Sequence, residues 1–434
     1  MQLRDSIAAQ RSYLAEVGPA KIQRLVRVGF LLAIHSRVSI VASDPVVIAS
    51  YARTPMGGFQ GALGSVKSTE LGAVAVKAAL ERARVSGDAV QRIYMGCVLP
   101  AGLGQAPARQ AALAAGLPKS VEACTVNKMC GSGMQAAIMA YDALLAGSAD
   151  IIVAGGMESM TNAPYLLEKH RGGARIGHDV VKDSMYLDGL EDAYEPGTLM
   201  GIFAEQAARR YEFSRQDQDA FAIESLARAN AAIASGAFAD EVVPIEVTTR
   251  SGTVQVGVDE QPGKAKPEKI PTLKPAFTKD GTVTAANSSS ISDGAAALVM
   301  TRASVASKLG LNVVARVVAT AGHSHEPGLF TSAPVPAMKK VMAKAGWSVG
   351  EIDLFEVNEA FAVVAMIAMR ELAIPHAKLN VNGGACALGH PIGASGARIM
   401  ATLIAALKRR GGKRGVAGIC IGGGEATAVA LEIL

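Results

Sequence analysis

From Pro45 onward the chain alternates short apolar runs with longer Ala-rich stretches. Short apolar runs bounded by turn-forming residues predict strands, and the Ala-rich stretches predict helices. In the first half the strand candidates are Val46–Ser50, Gln91–Met95, Ala123–Asn127 and Ile151–Ala154. In the second they are Val313–Thr320, Leu354–Val357, Lys378–Asn382 and Val416–Ile421. Strands and helices alternating in this way predict an α/β fold.

The two sets line up as copies. Thr125-Val126-Asn127 followed by Cys130-Gly131-Ser132-Gly133 is echoed by Asn380-Val381-Asn382 followed by Gly393-Ala394-Ser395-Gly396. Each copy then enters a stretch that is apolar nearly all round, 134–146 and 397–408, the pattern of a buried helix. Each closes on a glycine pair and an acid, Gly155-Gly156-Met157-Glu158 and Gly422-Gly423-Gly424-Glu425. The order predicts a duplicated βαβαβ unit, its halves packed around buried helices. The first half is expected over 43–160 with 292–312, and the second over 313–434. Residues 161–291 are more polar, with helical patches at Phe203–Arg210 and Arg215–Ala234. They read as an insertion covering a site built by the halves.

Composition narrows the class. Hydrophobic residues make up 50% and charged ones 19%, yet no apolar run approaches the ~20 residues of a membrane helix. The surplus is expected in sheets covered on both faces, parallel ones among them, or in an oligomer interface. Aromatics are only 4%, so small residues must fill the core. The net charge of +5, from 43 basic and 38 acidic residues, permits an anionic small molecule. It offers no clustered basic face for nucleic acid. Five cysteines without a CxxC spacing read as reduced thiols and argue against a zinc site.

Residues 1–42 differ in character. Arg4, Arg11, Lys21, Arg24, Arg27 and Arg37 face only Asp5 and Glu16, and the apolar patch Val28–Ile34 is too short to span a bilayer. An organellar transit peptide is one reading. The preferred one is a start placed upstream of a working protein that begins near Val41.

Four features carry candidate chemistry. Cys130, between a strand and a glycine-rich helix start, meets free N–H groups and the positive end of a helix dipole, both of which favour thiolate. It reads equally as a small buried residue. His390, in Gly389-His390-Pro391, is poorly explained by packing, although a structural histidine fits the motif taken singly. Asn358, in Asn358-Glu359-Ala360-Phe361, stands at the C-terminal end of a strand, where α/β sheets place their sites, or else caps a helix. Cys420 precedes Gly422-Gly423-Gly424, whose backbone N–H groups can bind an oxyanion, or is simply another buried strand cysteine. Cysteine, histidine and asparagine together permit covalent acyl transfer. A cysteine peptidase is the rival, but it accounts neither for the second cysteine beside the glycines nor for the duplication.

These four motifs, with the opening Ala52-Arg53-Thr54-Pro55-Met56-Gly57-Gly58-Phe59, resemble the thiolase family over about residues 44–434. The resemblance implies a five-layered α-β-α-β-α fold of two similar halves with a loop domain that binds coenzyme A. It implies that Cys130 takes the acyl group and that His390 activates it. Asn358 would hold a water in one oxyanion hole. Cys420 would remove or return the α-proton, and the N–H groups of Cys130 and Gly422 would form the other oxyanion hole. The expected reaction is condensation of two acetyl-CoA to acetoacetyl-CoA and CoA, with the reverse thiolysis. The alternative is a 3-ketoacyl-CoA thiolase of broader chain length in fatty-acid degradation. The same resemblance places Ser289, Phe330, Met200 and Leu199 along the substrate, with Leu199 departing from the histidine that biosynthetic members tend to carry. Lys264 and Lys266 are candidates for the nucleotide phosphates on charge alone, or simply surface residues. No cofactor is expected, since the coenzyme A thioesters are substrates. A homotetramer built as a dimer of dimers is expected, without nucleic acid or membrane. The expected location is the cytoplasm, or an organelle if 1–42 is a transit peptide.

Overall fold

The computed structural model describes residues 44–250 and 252–434, so the expectations for residues 1–42 lie outside the described residues. Five strands belong to the first half: β1 (Val46–Arg53), β2 (Arg92–Gly96), β3 (Glu122–Val126), β4 (Ile151–Ser159) and β5 (Ser292–Arg302). They lie in the order β3-β2-β4-β5-β1. The second half supplies β6 (Ala315–Ser324), β7 (Leu354–Val357), β8 (Arg414–Ile421) and β9 (Glu425–Ile433), in the order β7-β8-β9-β6. A short antiparallel contact, Val47 opposite Arg316 and Ile48 opposite Ala315, joins the two.

The duplication holds at four of the five strand positions. In the first half β1–β5 and β5–β4 are antiparallel, while β4–β2 and β2–β3 are parallel. In the second, β6–β9 and β9–β8 are antiparallel and β8–β7 is parallel. The sheet is therefore mixed rather than parallel. Lys378–Asn382 does not form the expected strand. A 3-10 turn at His376–Lys378 leaves one parallel bridge, Leu379 to Phe355, where β3 pairs in the other copy. Pro375 and the positive φ of 45° at Asn380 bracket that turn and shorten the pairing. The two Ala-rich strands β5 and β9 were not expected, yet they are inner strands of their halves.

Helices complete the layers. α1 (Ser68–Ala83) and α2 (Pro107–Ala114) cover the outer face of the first half. α3 (Ser132–Leu145) lies in the middle. α4 (Met200–Arg210) and α5 (Arg215–Ala234) belong to the polar stretch, α5 starting on a Ser214–Asp217 capping box. α6 (Pro334–Ala345) and α7 (Ala362–Leu372) cover the outer face of the second half. α8 (Ile392–Arg410) is buried from Ile392 to Leu407 and packs on α3 and on strands of both halves. The result is α-β-α-β-α.

Glycines set how closely the middle helices cross. A Cβ on Gly396 would lie 2.3 Å from the backbone N of Met134, and one on Gly133 would lie 2.8 Å from that of Ala397. The two contacts are reciprocal, as a duplicated unit demands. Backbone-to-backbone crossing at this point brings the start of α3 to the start of α8.

Candidate active site

Cys130 sits in the turn between β3 and α3, one residue before the capping Gly131. The turn is held by its own atoms. Asn127 Oδ1 accepts the Met129 N–H at 3.0 Å, and Ser132 Oγ accepts the Lys128 N–H at 2.8 Å while donating to the Met129 carbonyl at 2.6 Å. Met129 takes a φ of 43°, which turns Cys130 back towards the second half. Cys130 packs beside Val98, Leu99, Met160, Met185 and Ile392, the last two residues beyond His390. Its thiol interacts with the backbone N–H groups of Gly422 and of Cys130 itself, which favour thiolate. The expected depression of the thiol does not follow, because burial outweighs both N–H groups and pushes it up to about 11. In the free protein Cys130 is a thiol.

His390 stands one residue before Pro391, the cap of α8, and is buried. Its Nδ1 lies 2.5 Å from Ser395 Oγ, and its Nε2 lies 3.4 Å from Asn358 Nδ2. Ser395 Oγ also donates to the Pro391 carbonyl at 3.0 Å. With that proton spent, the arrangement that satisfies every contact has His390 Nδ1–H donating to Ser395, leaving a lone pair on Nε2. Arg398 Nη2 donates to Asn358 Oδ1 at 3.3 Å, which turns the asparagine amide N–H towards His390. Burial, aided by the Arg398 charge, pulls His390 down to about 3, so the imidazole is neutral.

The third element is the turn joining β8 to β9. Gly423 and Gly424 take φ of 90° and 83°, and a Cβ on Gly424 would lie 2.5 Å from the carbonyls of His325 and Glu326. This turn leaves the Gly422 N–H free of the ladder and directed to Cys130. Cys420, the penultimate residue of β8, is buried, and burial together with the neighbouring Cys130 raises its thiol well above the ordinary value. Cys130, Cys420 and Gly422 thus share one place, and Asn358 joins His390.

The substrate-side candidates divide. Met200 starts α4 with its sulfur beside Gly422, 3.5 Å from where a Cβ would stand, and half-buried Leu199 caps the same helix. Ser289 is half-buried and donates its hydroxyl and its N–H to the Ala360 carbonyl, at 2.9 and 3.0 Å. It ties the stretch before β5 to the Asn358 loop. Phe330 is buried within an aromatic cluster, 6.5 Å from Phe203 and 6.3 Å from Phe361 between centroids. Lys264 is exposed and paired with Glu260 one turn earlier, and Lys266 is exposed.

Reading the sequence missed Ser395 and Arg398, which hold His390 and Asn358 from behind. Arg398 carried one usable signal, a lone charge inside an apolar stretch. Glu359 was seen only as part of a motif. It is fully buried and accepts from Asn380, Ser225 and the Cys386 N–H, so it anchors the loop next to Asn358.

Comparison with known proteins agrees with this geometry. The thiolase N-terminal domain matches residues 46–304 and the thiolase C-terminal domain matches residues 311–433. The chain is 49% identical over 403 residues to acetyl-CoA acetyltransferase 2 of Arabidopsis thaliana, covering 92% of this chain and 100% of that protein. It is 46% identical over 395 residues to an acetyl-CoA acetyltransferase of Thiocystis violacea, covering 90% and 100%. It is 46% identical over 396 residues to an acetyl-CoA acetyltransferase of Yarrowia lipolytica, covering 91% and 98%. With both domain matches spanning nearly all the described residues, the chain belongs to the thiolase family.

Proposed function

We propose that this chain is an acyltransferase that condenses two acetyl-CoA to acetoacetyl-CoA and CoA through an acyl thioester on Cys130, and runs the reverse thiolysis. The observation that carries the reading is Cys130 under the Gly422 N–H, with Cys420 beside it and a neutral imidazole held by Asn358 and Ser395. The names of the relatives support the choice of acetyl-CoA.

The chemistry follows from the protonation states. His390 Nε2 takes the Cys130 proton as the sulfur attacks the thioester carbonyl, and the Cys420 thiol gives its proton to the departing CoA sulfur. The N–H groups of Cys130 and Gly422 face the oxyanion of the acyl group carried on Cys130, both when it is loaded and when it is attacked, while His390 and a water held by Asn358 face the oxyanion of the enolate formed from the second acetyl-CoA. One such donor is typically worth about 10²–10³ in rate. In condensation the Cys420 thiolate left by the loading step removes the α-proton of the second acetyl-CoA, and the new C–C bond forms as the Cys130–acyl bond breaks, with His390 returning the proton to the Cys130 sulfur. In thiolysis the Cys420 thiol returns that proton to the departing enolate. The high value of the Cys420 thiol suits both roles, a strong base when ionised and a proton store when not.

The test is CoA-dependent thiolysis of acetoacetyl-CoA beside longer 3-ketoacyl-CoAs. Preference for acetoacetyl-CoA is expected. Equal or faster rates on longer chains move the protein to fatty-acid degradation, and no activity on any of them overturns the reading. A homotetramer and a cytoplasmic location belong to the same proposal, and light scattering tests the first.

A further inference from the structure

Glu158 is fully buried near the end of β4, and none of the steps above uses it. Its Oε2 accepts the N–H groups of Gly393 and Val98, each at 2.9 Å. Its Oε1 accepts the Leu99 N–H at 3.2 Å and lies 3.6 Å from the Cys97 sulfur. Val98 and Leu99 follow β2 in the first half, whereas Gly393 opens α8 three residues beyond His390. One carboxylate therefore fastens the His390 turn to the wall against which Cys130 packs. Gly393 is shaped for this, since a Cβ there would lie 2.6 Å from Glu158 Oε2. A buried carboxyl that merely filled space would be replaced by an apolar residue without penalty. Here every acceptor contact goes to a backbone N–H or to a thiol.

We propose that Glu158 is a positioning residue, setting His390 against Cys130 by holding Gly393 in place; this rests on the acyl-transfer reading above. The titratable side chains that interact with Glu158 are Cys97 and Cys130, and its charge raises the Cys130 thiol. Burial brings Glu158 itself up to about 7, against the pull of its three N–H donors.

The test uses two variants of the full chain. Glu158→Gln keeps the shape but sets an amide NH2 against backbone N–H groups. Its kcat for acetoacetyl-CoA thiolysis should fall roughly 10–100-fold with KM within about threefold, since small misplacements of catalytic groups act on kcat. Alkylation of Cys130 by iodoacetamide should shift to lower pH, because the neighbouring negative charge is gone. Glu158→Asp keeps the charge and shortens the reach, so kcat should fall while the alkylation profile stays. If Glu158→Gln does not fold, Glu158→Asp decides on the same kcat criterion. Wild-type kcat in the variant, or a loss confined to KM, overturns the proposal alone. A wild-type protein without thiolysis removes the acyl-transfer reading and this proposal with it.

Discussion

Cys130 and His390 each stand two residues ahead of a middle-layer helix, with Gly131 and Pro391 as the capping residues. Ser132 and Ser395 each lie one residue before the crossing glycine of their helix. Their hydroxyls do different work. Ser132 bonds only backbone and shapes the turn that presents the thiol. Ser395 bonds one backbone carbonyl and spends its other contact on the imidazole, which selects the His390 tautomer. The ends of the copies differ more. Gly155 and Gly156 stay inside β4, which is followed by residues 160–291 before β5, whereas Gly422–Gly424 turn directly from β8 into β9. Of the two copy ends, the tight turn is the one that leaves an N–H, that of Gly422, for the Cys130 thiol. Duplication built the frame, and departures from it made the site.

The crossing glycines test the frame most severely. Gly396→Ala would place a methyl group against the Met134 backbone, which can move only by separating α3 from α8. Overpacking of this kind costs about 1–3 kcal/mol or more. A drop in Tm with a loss of kcat of roughly 100-fold is expected, because both reactive turns ride on the crossing. An active Gly396→Ala protein of unchanged Tm would show that the crossing does not set the site.

The serines give the next largest effect. Ser395→Ala should cost roughly 10–100-fold in kcat by freeing the His390 tautomer, a fraction of what a general base contributes. Ser132→Ala should cost about 1 kcal/mol of stability for its lost bonds, with a smaller change in kcat. Equal kinetic losses from the two would erase the distinction drawn between the turns.

Much of this was legible in the sequence for a simple reason. Runs such as Val46–Ser50 and Ile151–Ala154 are apolar and branched, so they announce buried strands, and the glycine-flanked His390 is poorly explained by packing, whereas Cys130 gains its reading from the glycine-rich helix start beside it. β5 and β9 were missed because alanine dominates them, and alanine favours helix when read alone. Both strands are largely buried and pair with a neighbour on each edge, so tertiary packing overrode propensity. Ser395, Arg398 and Glu158 were missed because each acts through a partner far away in sequence or hidden by the fold. No spacing rule links Glu158 to Gly393, 235 positions later.

His390 also marks its turn by titration. With its folded value near 3 and an unfolded value of about 6.5, it favours the folded state above pH 6.5. As pH falls below that, the unfolded chain binds a proton that the folded one refuses, and stability is lost by up to about 1.4 kcal/mol per pH unit. The raised Glu158 and Glu356 act in the opposite sense, so total stability alone does not isolate the effect. The comparison with His390→Gln does. Between pH 7 and pH 5 the Tm difference should move in the variant's favour, and a constant difference would mean that His390 is not held neutral.

The smallest effect belongs to an ion pair that joins the Cys130 turn to the β8–β9 turn, Lys128 with Glu425. It bridges the turn that carries Cys130 and the turn that carries Gly422. Both side chains, however, are about a third exposed, at 31% and 33%. Water screens such a pair, and exposed pairs are typically worth about 0–1 kcal/mol. The turns already have their own restraints, Ser132 on one side and the positive-φ glycines on the other. Glu425→Gln should therefore lower Tm by only about 1–2 °C at low salt, in keeping with that small energy. The difference should fade in 0.5 M salt, where screening shortens the Debye length to about 4 Å, and kcat should stay within about twofold. A larger, salt-resistant loss of kcat would make the pair part of the mechanism and bring the two turns under electrostatic as well as steric control.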